Sequence, residues 1–289
     1  MSMVKYMKQN EFELGERYKL YRTVKELLHP TISKRNISNY KIVIDENLLL
    51  LRVFYPKKVS NIKDIMIYIP GEGEITECEG MYSEISAHLS KELDKMVITI
   101  DYEKSTDNLE ELVKKIFDTV SYIYNQLVEG DIAIQNITIA GDSTGANILL
   151  NILEKMNQEK IEVGQMILFY PVLSGEYNGK TKYTSILENT SVNYNLIPKL
   201  KEYYKKVPKE FFPLAAEKKV EYPKTLVLSG NVDPLIDEAK DFAQRNETVE
   251  LEIIDFAYHG FLKTKDKEIT KEYIRALKNF LNVENNNEI

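Results

Sequence analysis

Residues 136–150 read Asn136-Ile-Thr-Ile-Ala-Gly-Asp-Ser-Thr-Gly-Ala-Asn-Ile-Leu-Leu150, and they decide the fold. The β-branched run before Gly141 predicts a buried strand, and the apolar run after Gly145 predicts a helix. The segment between them fits G-x-S-x-G, in which Ser143 occupies a strained strand-to-helix turn and the glycines leave room for neighbouring backbone. A helix that begins there also favours negative charge near the serine. The alternative interpretation is a glycine-rich helix start in which Ser143 is only a capping residue.

Short strands alternate with longer helical patterns along the chain from Tyr40 onward, which is typical of strands joined by crossover helices. The predicted strands are 41–44, 48–55, 64–69, 96–100, 136–140, 166–170, 224–229 and 249–255, and the predicted helices are 81–93, 109–128, 146–156, 197–204 and 267–281. The first two strands are expected to pair antiparallel. The pattern predicts one α/β domain over 1–289, with a mostly parallel eight-stranded sheet and helices on both faces. Residues 1–40 and 174–215 are expected to form a small lid.

The composition is that of a globular protein, with 43% hydrophobic and 29% charged residues. The 38 basic residues are scattered among 45 acidic ones, for a net charge of -7, which argues against nucleic-acid binding. No apolar stretch reaches membrane-spanning length and the first residues lack an uninterrupted apolar run, so we expect a cytoplasmic protein with no stable membrane insertion. Cys78 is the only cysteine, which excludes an intrachain disulfide and a cysteine zinc site. No cofactor and no metal ion are predicted.

A general base for the serine has to come from only three histidines. His29 precedes a proline near the N-terminus and His88 lies inside a helical pattern, so both are interpreted as surface or packing residues. His259 follows the last predicted strand and precedes the last helix. Loops at the carboxyl edge of a parallel sheet deliver catalytic groups, which makes His259 the candidate base. The alternative is a loop histidine with no catalytic role.

Asp233 is the candidate acid, because it follows the strand 224–229 at the same edge of the sheet. It precedes a proline, so it also fits a helix N-cap, and one carboxylate oxygen can cap while the other orients an imidazole. Asp237 and Asp255 are weaker candidates. The chain order Ser143, Asp233, His259 is the order of α/β-hydrolases and differs from the two common serine-protease orders.

With these residues in place, the chain resembles the hormone-sensitive-lipase-like esterases of the α/β-hydrolase fold, from about Asp64 to the final helix. Residues 141–147 (GDSTGAN) are similar to that family's G-D-S-A-G-G-N, and 233–238 (DPLIDE) to its D-P-L-x-D-E. Residues 258–261 (YHGF) are similar to its H-x-F ending, and Tyr170-Pro171 also fits. The resemblance implies a serine hydrolase in which His259 takes the proton of Ser143 and Asp233 fixes the imidazole tautomer.

The oxyanion loop departs from the family pattern, because Pro70-Gly71-Glu72-Gly73 stands where the family has H-G-G-G. The resemblance implies that the backbone amides of Gly71, Glu72 and Thr144 point at the oxyanion. The Glu72 carboxylate is a new group in that loop and could lie close to the developing negative charge. The family's D-Y-R-L-A-P-E is also reduced to Asp-Tyr-Glu-Lys-Ser at 101–105.

The sequence therefore predicts a serine carboxylesterase that hydrolyses small short-acyl esters through an acyl-enzyme. One alternative is a small-molecule binding protein on a weak or inactive hydrolase scaffold, which the altered oxyanion loop favours. Another is a peptidase or thioesterase of the same fold, because the fold hosts many acyl transfers. The residues do not decide between a monomer and a homodimer.

Overall fold

The computed structural model describes seven stretches of the chain. They are residues 40–42, 49–56, 62–71, 75–102, 108–176, 196–216 and 220–283. The strands in these stretches are β1 (Tyr40–Ile42), β2 (Leu50–Phe54), β3 (Ile65–Ile69), β4 (Met96–Asp101), β5 (Ile137–Asp142), β6 (Gln165–Phe169), β7 (Lys224–Gly230) and β8 (Val249–Ile254). The helices there are α1 (Ile75–Leu93), α2 (Leu109–Glu129), α3 (Ser143–Gln158), α4 (Leu196–Lys206), α5 (Ile236–Arg245) and α6 (Lys267–Leu281).

The strands form one eight-stranded sheet in the order β1-β2-β4-β3-β5-β6-β7-β8. β2 runs antiparallel to β1 and to β4, and every other neighbouring pair is parallel. The predicted mostly parallel eight-stranded sheet and the antiparallel first pair are thus confirmed. Because β3, β5, β7 and β8 are parallel, their carboxyl ends meet at one edge, and the loops after them converge there.

Helices cover both faces of the sheet, as predicted. Ile65, Ile67 and Ile69 face a core formed with α2 to α5, whereas Met66 and Tyr68 face a second core formed with α1 and α6. All five side chains are fully buried, and a fully buried isoleucine contributes about 1.5–3 kcal/mol. This alternation fixes the register of β3, since a slip by one residue would turn Tyr68 to the opposite face.

Two helices begin earlier than the sequence patterns predict. α1 begins at Ile75 where Met81 was expected, and the six residues before Met81 include Gly80, whose low helix propensity obscures the pattern. α3 begins at Ser143 where Ala146 was expected. Thr144 and Gly145 are weak helix formers, so the sequence pattern did not show this earlier start. The helix begins at Ser143 because the tight turn leaves no connecting residues between β5 and α3.

The predicted lid lies mostly outside the described residues, which exclude 1–39 and 177–195. The helix predicted at 197–204 is present as α4, and its Leu200 and Tyr203 side chains are buried in the core. The role of these segments as a lid stays a prediction. Among the helices of the described stretches, none has both the length and the apolar character needed to cross a bilayer.

Candidate active site

Ser143 is the first residue of α3 and directly follows the last residue of β5, in a tight turn that requires an unusual backbone conformation. Its φ is +51°, in the left-handed region that non-glycine residues rarely adopt, and such strain typically costs about 1–3 kcal/mol. A Cβ on Gly145 would collide with the carbonyl oxygen of Ile69, and a Cβ on Gly141 would lie 2.9 Å from the carbonyl oxygen of Gly145. The two glycines of G-x-S-x-G are therefore required by close backbone packing, as the sequence indicated.

His259 lies in the loop after β8, and its imidazole reaches the serine. The distance from Ser143 Oγ to His259 Nε2 is 2.9 Å, a hydrogen bond. Gly260 follows with a φ of +83°, which a glycine adopts without steric cost. Ser143 and His259 are 7% and 9% exposed, so the contact between them is largely shielded from water.

Asp233 lies in the loop after β7 and completes the chain of contacts. His259 Nδ1 is 3.0 Å from Asp233 Oδ2 and 3.2 Å from Oδ1. Oδ1 also accepts a hydrogen bond from the Leu235 backbone N–H at 2.8 Å. The prediction that Asp233 is the helix N-cap is wrong, because the N-cap of α5 is Leu235 and α5 has no side-chain cap hydrogen bond. The fully buried carboxylate instead holds the N–H of Leu235 with one oxygen while it faces the imidazole.

The other candidate residues lie elsewhere. Asp237 is exposed and pairs with a lysine of the same helix at 3.8 Å, and Asp255 accepts a hydrogen bond from an asparagine side chain at 2.8 Å. His88 lies on α1, where burial lowers the pKa of its imidazole, and its ring packs edge-on against Tyr273. His29 lies outside the described residues. The structure thus brings together Ser143, His259 and Asp233.

The segment after β3 contacts the serine turn directly. The hydroxyl of Thr144 donates to the Gly71 carbonyl, and the Gly71 N–H donates to Asp142 Oδ1 at 2.8 Å. Gly71 was expected to offer its N–H to an oxyanion, but in this structure that N–H already has an acceptor. Thr144 is in the first turn of α3, where backbone N–H groups have no acceptor within the helix. Glu72 lies outside the described residues.

Buried polar residues beneath this turn were not recognised in the sequence. The Asp142 carboxylate accepts hydrogen bonds from the hydroxyls of Tyr68 (2.6 Å) and Tyr170 (3.3 Å). Burial raises the pKa of Asp142, and the hydrogen bond from Tyr68 opposes that rise. The Tyr102 hydroxyl donates to the carbonyl of Pro70. The available signal was a charged residue at the end of the apolar strand β5.

A second carboxylate, Glu238, connects three elements near the candidate acid. One of its oxygens accepts hydrogen bonds from the backbone N–H groups of Leu173 (2.8 Å) and Ser174 (2.9 Å), and the other accepts from the Tyr204 hydroxyl at 3.0 Å. Glu238 therefore ties α5 to the segment after β6 and to α4. Burial raises the pKa of the Glu238 carboxyl, and its hydrogen bonds oppose that effect.

We expect Glu238→Gln to make the fold less sensitive to pH. The folded pKa of Glu238 lies above its ordinary value of 4.5, so the folded protein holds the proton more tightly and its stability falls as pH rises above that value. A glutamine oxygen can accept both N–H groups without this loss. The melting temperature of the variant relative to the wild type should increase between about pH 4 and about pH 7. Glu247→Gln, at an exposed position, is the control, and a difference that is constant with pH would contradict the prediction.

Comparison with known proteins agrees with this architecture. Residues 66–263 match the family model described as alpha/beta hydrolase fold. An esterase of Fusarium pseudograminearum is 20% identical over 192 residues, which cover 63% of this chain and 59% of that protein. A second relative, from Acanthamoeba polyphaga mimivirus, is matched over 64% of its length. The chain therefore spans less than two thirds of either of these relatives.

Solved structures share the fold over nearly the whole chain. The Francisella virulence factor BioJ superposes with a TM-score of 0.71 at 21% identity, covering 90% of this chain and 89% of that one. A thermophilic carboxylesterase cloned from a metagenomic library superposes with a TM-score of 0.68 at 21% identity, covering 90% and 93%. Because the family model matches more than half of the residues, from 66 to 263, this chain belongs to the α/β-hydrolase fold family that its motifs predicted.

Proposed function

We propose that the protein is a serine carboxylesterase in which Ser143 is the nucleophile, His259 the general base and Asp233 the acid that orients it. The observation that carries this proposal is the continuous chain of contacts from Ser143 Oγ to His259 Nε2 (2.9 Å) and from His259 Nδ1 to Asp233 Oδ2 (3.0 Å). The left-handed backbone at Ser143 is a second support, because strain of this kind clusters at functional sites.

The proposed reaction proceeds through an acyl-enzyme. Ser143 Oγ attacks the ester carbonyl carbon while its proton passes to His259 Nε2, and the proton then moves to the departing alcohol. Water attacks the acyl group next, with His259 again accepting a proton, and Ser143 recovers that proton when the acid leaves. Asp233 stabilises the imidazolium in both steps and holds Nδ1 protonated, so that Nε2 is free to accept.

The negative charge that forms on the substrate oxygen requires hydrogen-bond donors. The Thr144 backbone N–H is proposed as one donor, and its position in the first turn of α3, where the helix dipole adds to its effect, supports this. The Glu72 amide is proposed as the second donor. Gly71 is proposed to orient the chain before Glu72 and not to donate to the oxyanion, because the Gly71 N–H donates to Asp142.

Small esters with short acyl groups are the proposed substrates. The Fusarium relative is an esterase by name and one structural neighbour is a carboxylesterase, and such chemistry suits a serine and imidazole at this edge of the sheet. The proposed lid, formed by 1–40 and 174–215, would close over the ester. A peptidase or thioesterase would use the same three side chains, so substrate preference has to be measured.

A fluorophosphonate probe tests the proposal and separates it from the binding-protein alternative. We expect stoichiometric labelling of the wild-type protein, with the modified peptide containing Ser143, and hydrolysis of p-nitrophenyl acetate or butyrate. A panel with one acyl group presented as ester, thioester and amide should show the ester turned over fastest. A folded protein that is neither labelled nor active would instead favour a ligand-binding role on a hydrolase scaffold.

A further inference from the structure

Asp142 is a buried acidic residue for which the proposed reaction has no direct use. It is 1% exposed and is the last residue of β5, directly before Ser143. Its carboxylate accepts three hydrogen bonds: Oδ1 from the Gly71 N–H (2.8 Å) and the Tyr68 hydroxyl (2.6 Å), and Oδ2 from the Tyr170 hydroxyl (3.3 Å). A buried carboxylate is costly unless it is well hydrogen-bonded, so these contacts explain how Asp142 is tolerated.

The position of Asp142 in the chain makes this use of its side chain unusual. Asp142 occupies the N-cap of α3, where an aspartate ordinarily accepts hydrogen bonds from the first backbone N–H groups of the helix. Here its side chain makes no cap hydrogen bond to the described first turn of α3. The carboxylate turns instead toward the segment after β3, which leaves the amides at the start of α3 available to a substrate.

One set of these contacts involves Gly71, which belongs to the segment after β3 that was predicted to form the oxyanion loop. β3 and β5 are neighbours in register, with Ile69 opposite Gly141, so Gly71 lies beside the serine turn. The Gly71 N–H donates to Asp142 and the Gly71 carbonyl accepts from the Thr144 hydroxyl, so both backbone polar groups of Gly71 are held against the serine turn.

The other set of contacts reaches the proposed base. The Tyr170 ring lies 4.9 Å from the His259 imidazole and 5.0 Å from the Phe261 ring, centroid to centroid. Tyr170 follows β6 with a φ of +36°, and its backbone N–H donates to the Leu228 carbonyl at 2.7 Å. The hydrogen bond from its hydroxyl to Asp142 therefore joins a ring that packs on the imidazole to the carboxylate beneath the serine.

We propose that Asp142, itself held by the Tyr68 hydroxyl, is a positioning residue that fixes Gly71 and the Tyr170 ring, and through them the Thr144 turn and the His259 imidazole, relative to Ser143. This inference rests on the proposed esterase function. Asp142 does not touch the substrate, and it acts by geometry. An asparagine can keep all three contacts, because its oxygen accepts from Gly71 and Tyr68 and its amide group can donate to the Tyr170 hydroxyl oxygen.

The experiment compares Asp142→Ala, Asp142→Asn and Tyr68→Phe by kcat and KM for p-nitrophenyl butyrate. We expect Asp142→Ala to lower kcat by about 100-fold, with KM changed by less than about threefold. Asp142→Asn should return kcat to within about tenfold of the wild type, and Tyr68→Phe should lower it about tenfold. Tyr273→Phe, which removes a hydroxyl from another buried tyrosine, is the matched control and should leave kcat unchanged.

Binding of phenylboronic acid gives a readout that partial unfolding would not change. In the adduct with Ser143 the boron is tetrahedral, and one of its oxygens occupies the oxyanion position. The inhibition constant of phenylboronic acid should therefore rise in Asp142→Ala by about the factor by which kcat falls. A smaller folded fraction would lower kcat and leave that constant unchanged, which would overturn the inference. If Asp142→Ala does not fold, the comparison of Asp142→Asn with Tyr68→Phe still decides, because a Tyr68→Phe enzyme with wild-type kcat contradicts it.

The two proposals fail in different ways. A wild-type protein without ester hydrolysis or fluorophosphonate labelling would overturn the proposed function together with this inference. An active wild type whose kcat survives Asp142→Ala within about threefold would overturn the inference alone. An Asp142→Asn variant as impaired as Asp142→Ala would also overturn it, because the asparagine keeps the contacts to which the effect is assigned.

Discussion

Replacing Ser143 with alanine should nearly abolish ester hydrolysis, and we expect kcat for p-nitrophenyl butyrate to fall by at least about 10⁴-fold. The variant lacks the oxygen on which the acyl-enzyme forms, and His259 Nε2, now 2.9 Å from Ser143 Oγ, would have no proton to take. A loss of this size corresponds to about 5.5 kcal/mol of transition-state stabilisation. Release of p-nitrophenolate under saturating substrate measures it directly, and loss of fluorophosphonate labelling provides an independent check.

A control variant and a stability measurement show whether the loss of activity is specific to Ser143. Ser121→Ala, at a partly buried position on α2, is the matched control and should keep kcat within about twofold. Removing the hydroxyl also leaves the left-handed backbone in place, so the melting temperature of Ser143→Ala should stay close to that of the wild type. A variant that keeps more than about 1% of the wild-type rate would refute Ser143 as the nucleophile.

The positions of the central strands along the chain could be predicted from the sequence, because each of these strands is buried on both faces. Ile65, Met66 and Ile67 have no exposed surface, and such strands appear in a sequence as short apolar runs. The three candidate side chains could be predicted for a related reason. Each follows a predicted strand closely, namely β5, β7 or the edge strand β8, and the carboxyl ends of parallel strands meet, so position along the chain was enough to bring them together.

The contacts of Asp142 could not be predicted in the same way. From the sequence alone, an aspartate before a helix is expected to cap that helix. Whether it does so depends on β3 lying beside β5, which brings Gly71 to a carboxylate 71 residues away in the chain. The early start of α1 was missed for a local reason, because Gly80 interrupts the helical pattern without ending the helix.

Replacing Asp233 with asparagine should lower kcat by about 10⁴-fold while leaving the fold intact, because a side chain of nearly the same shape then offers the imidazole a donor NH₂ group in place of an acceptor oxygen. The asparagine oxygen can still accept from the Leu235 N–H, as Asp233 Oδ1 does at 2.8 Å. Its NH₂ group would then face His259 Nδ1, which lies 3.0 Å from Oδ2. Nδ1 would become an acceptor, so the proton would move to Nε2.

In that tautomer His259 would donate a hydrogen bond to Ser143 and could not remove its proton. Steady-state hydrolysis of p-nitrophenyl butyrate measures the loss, and the melting temperature verifies that the buried amide is tolerated. Asp237→Asn and Asp255→Asn are the controls, since both carboxylates are engaged elsewhere, and each should keep kcat within about twofold. If Asp233→Asn retained a rate within tenfold of the wild type while one of these controls lost activity, the acid would have to be reassigned, because only a carboxylate that sets the tautomer of His259 gives an effect of this size.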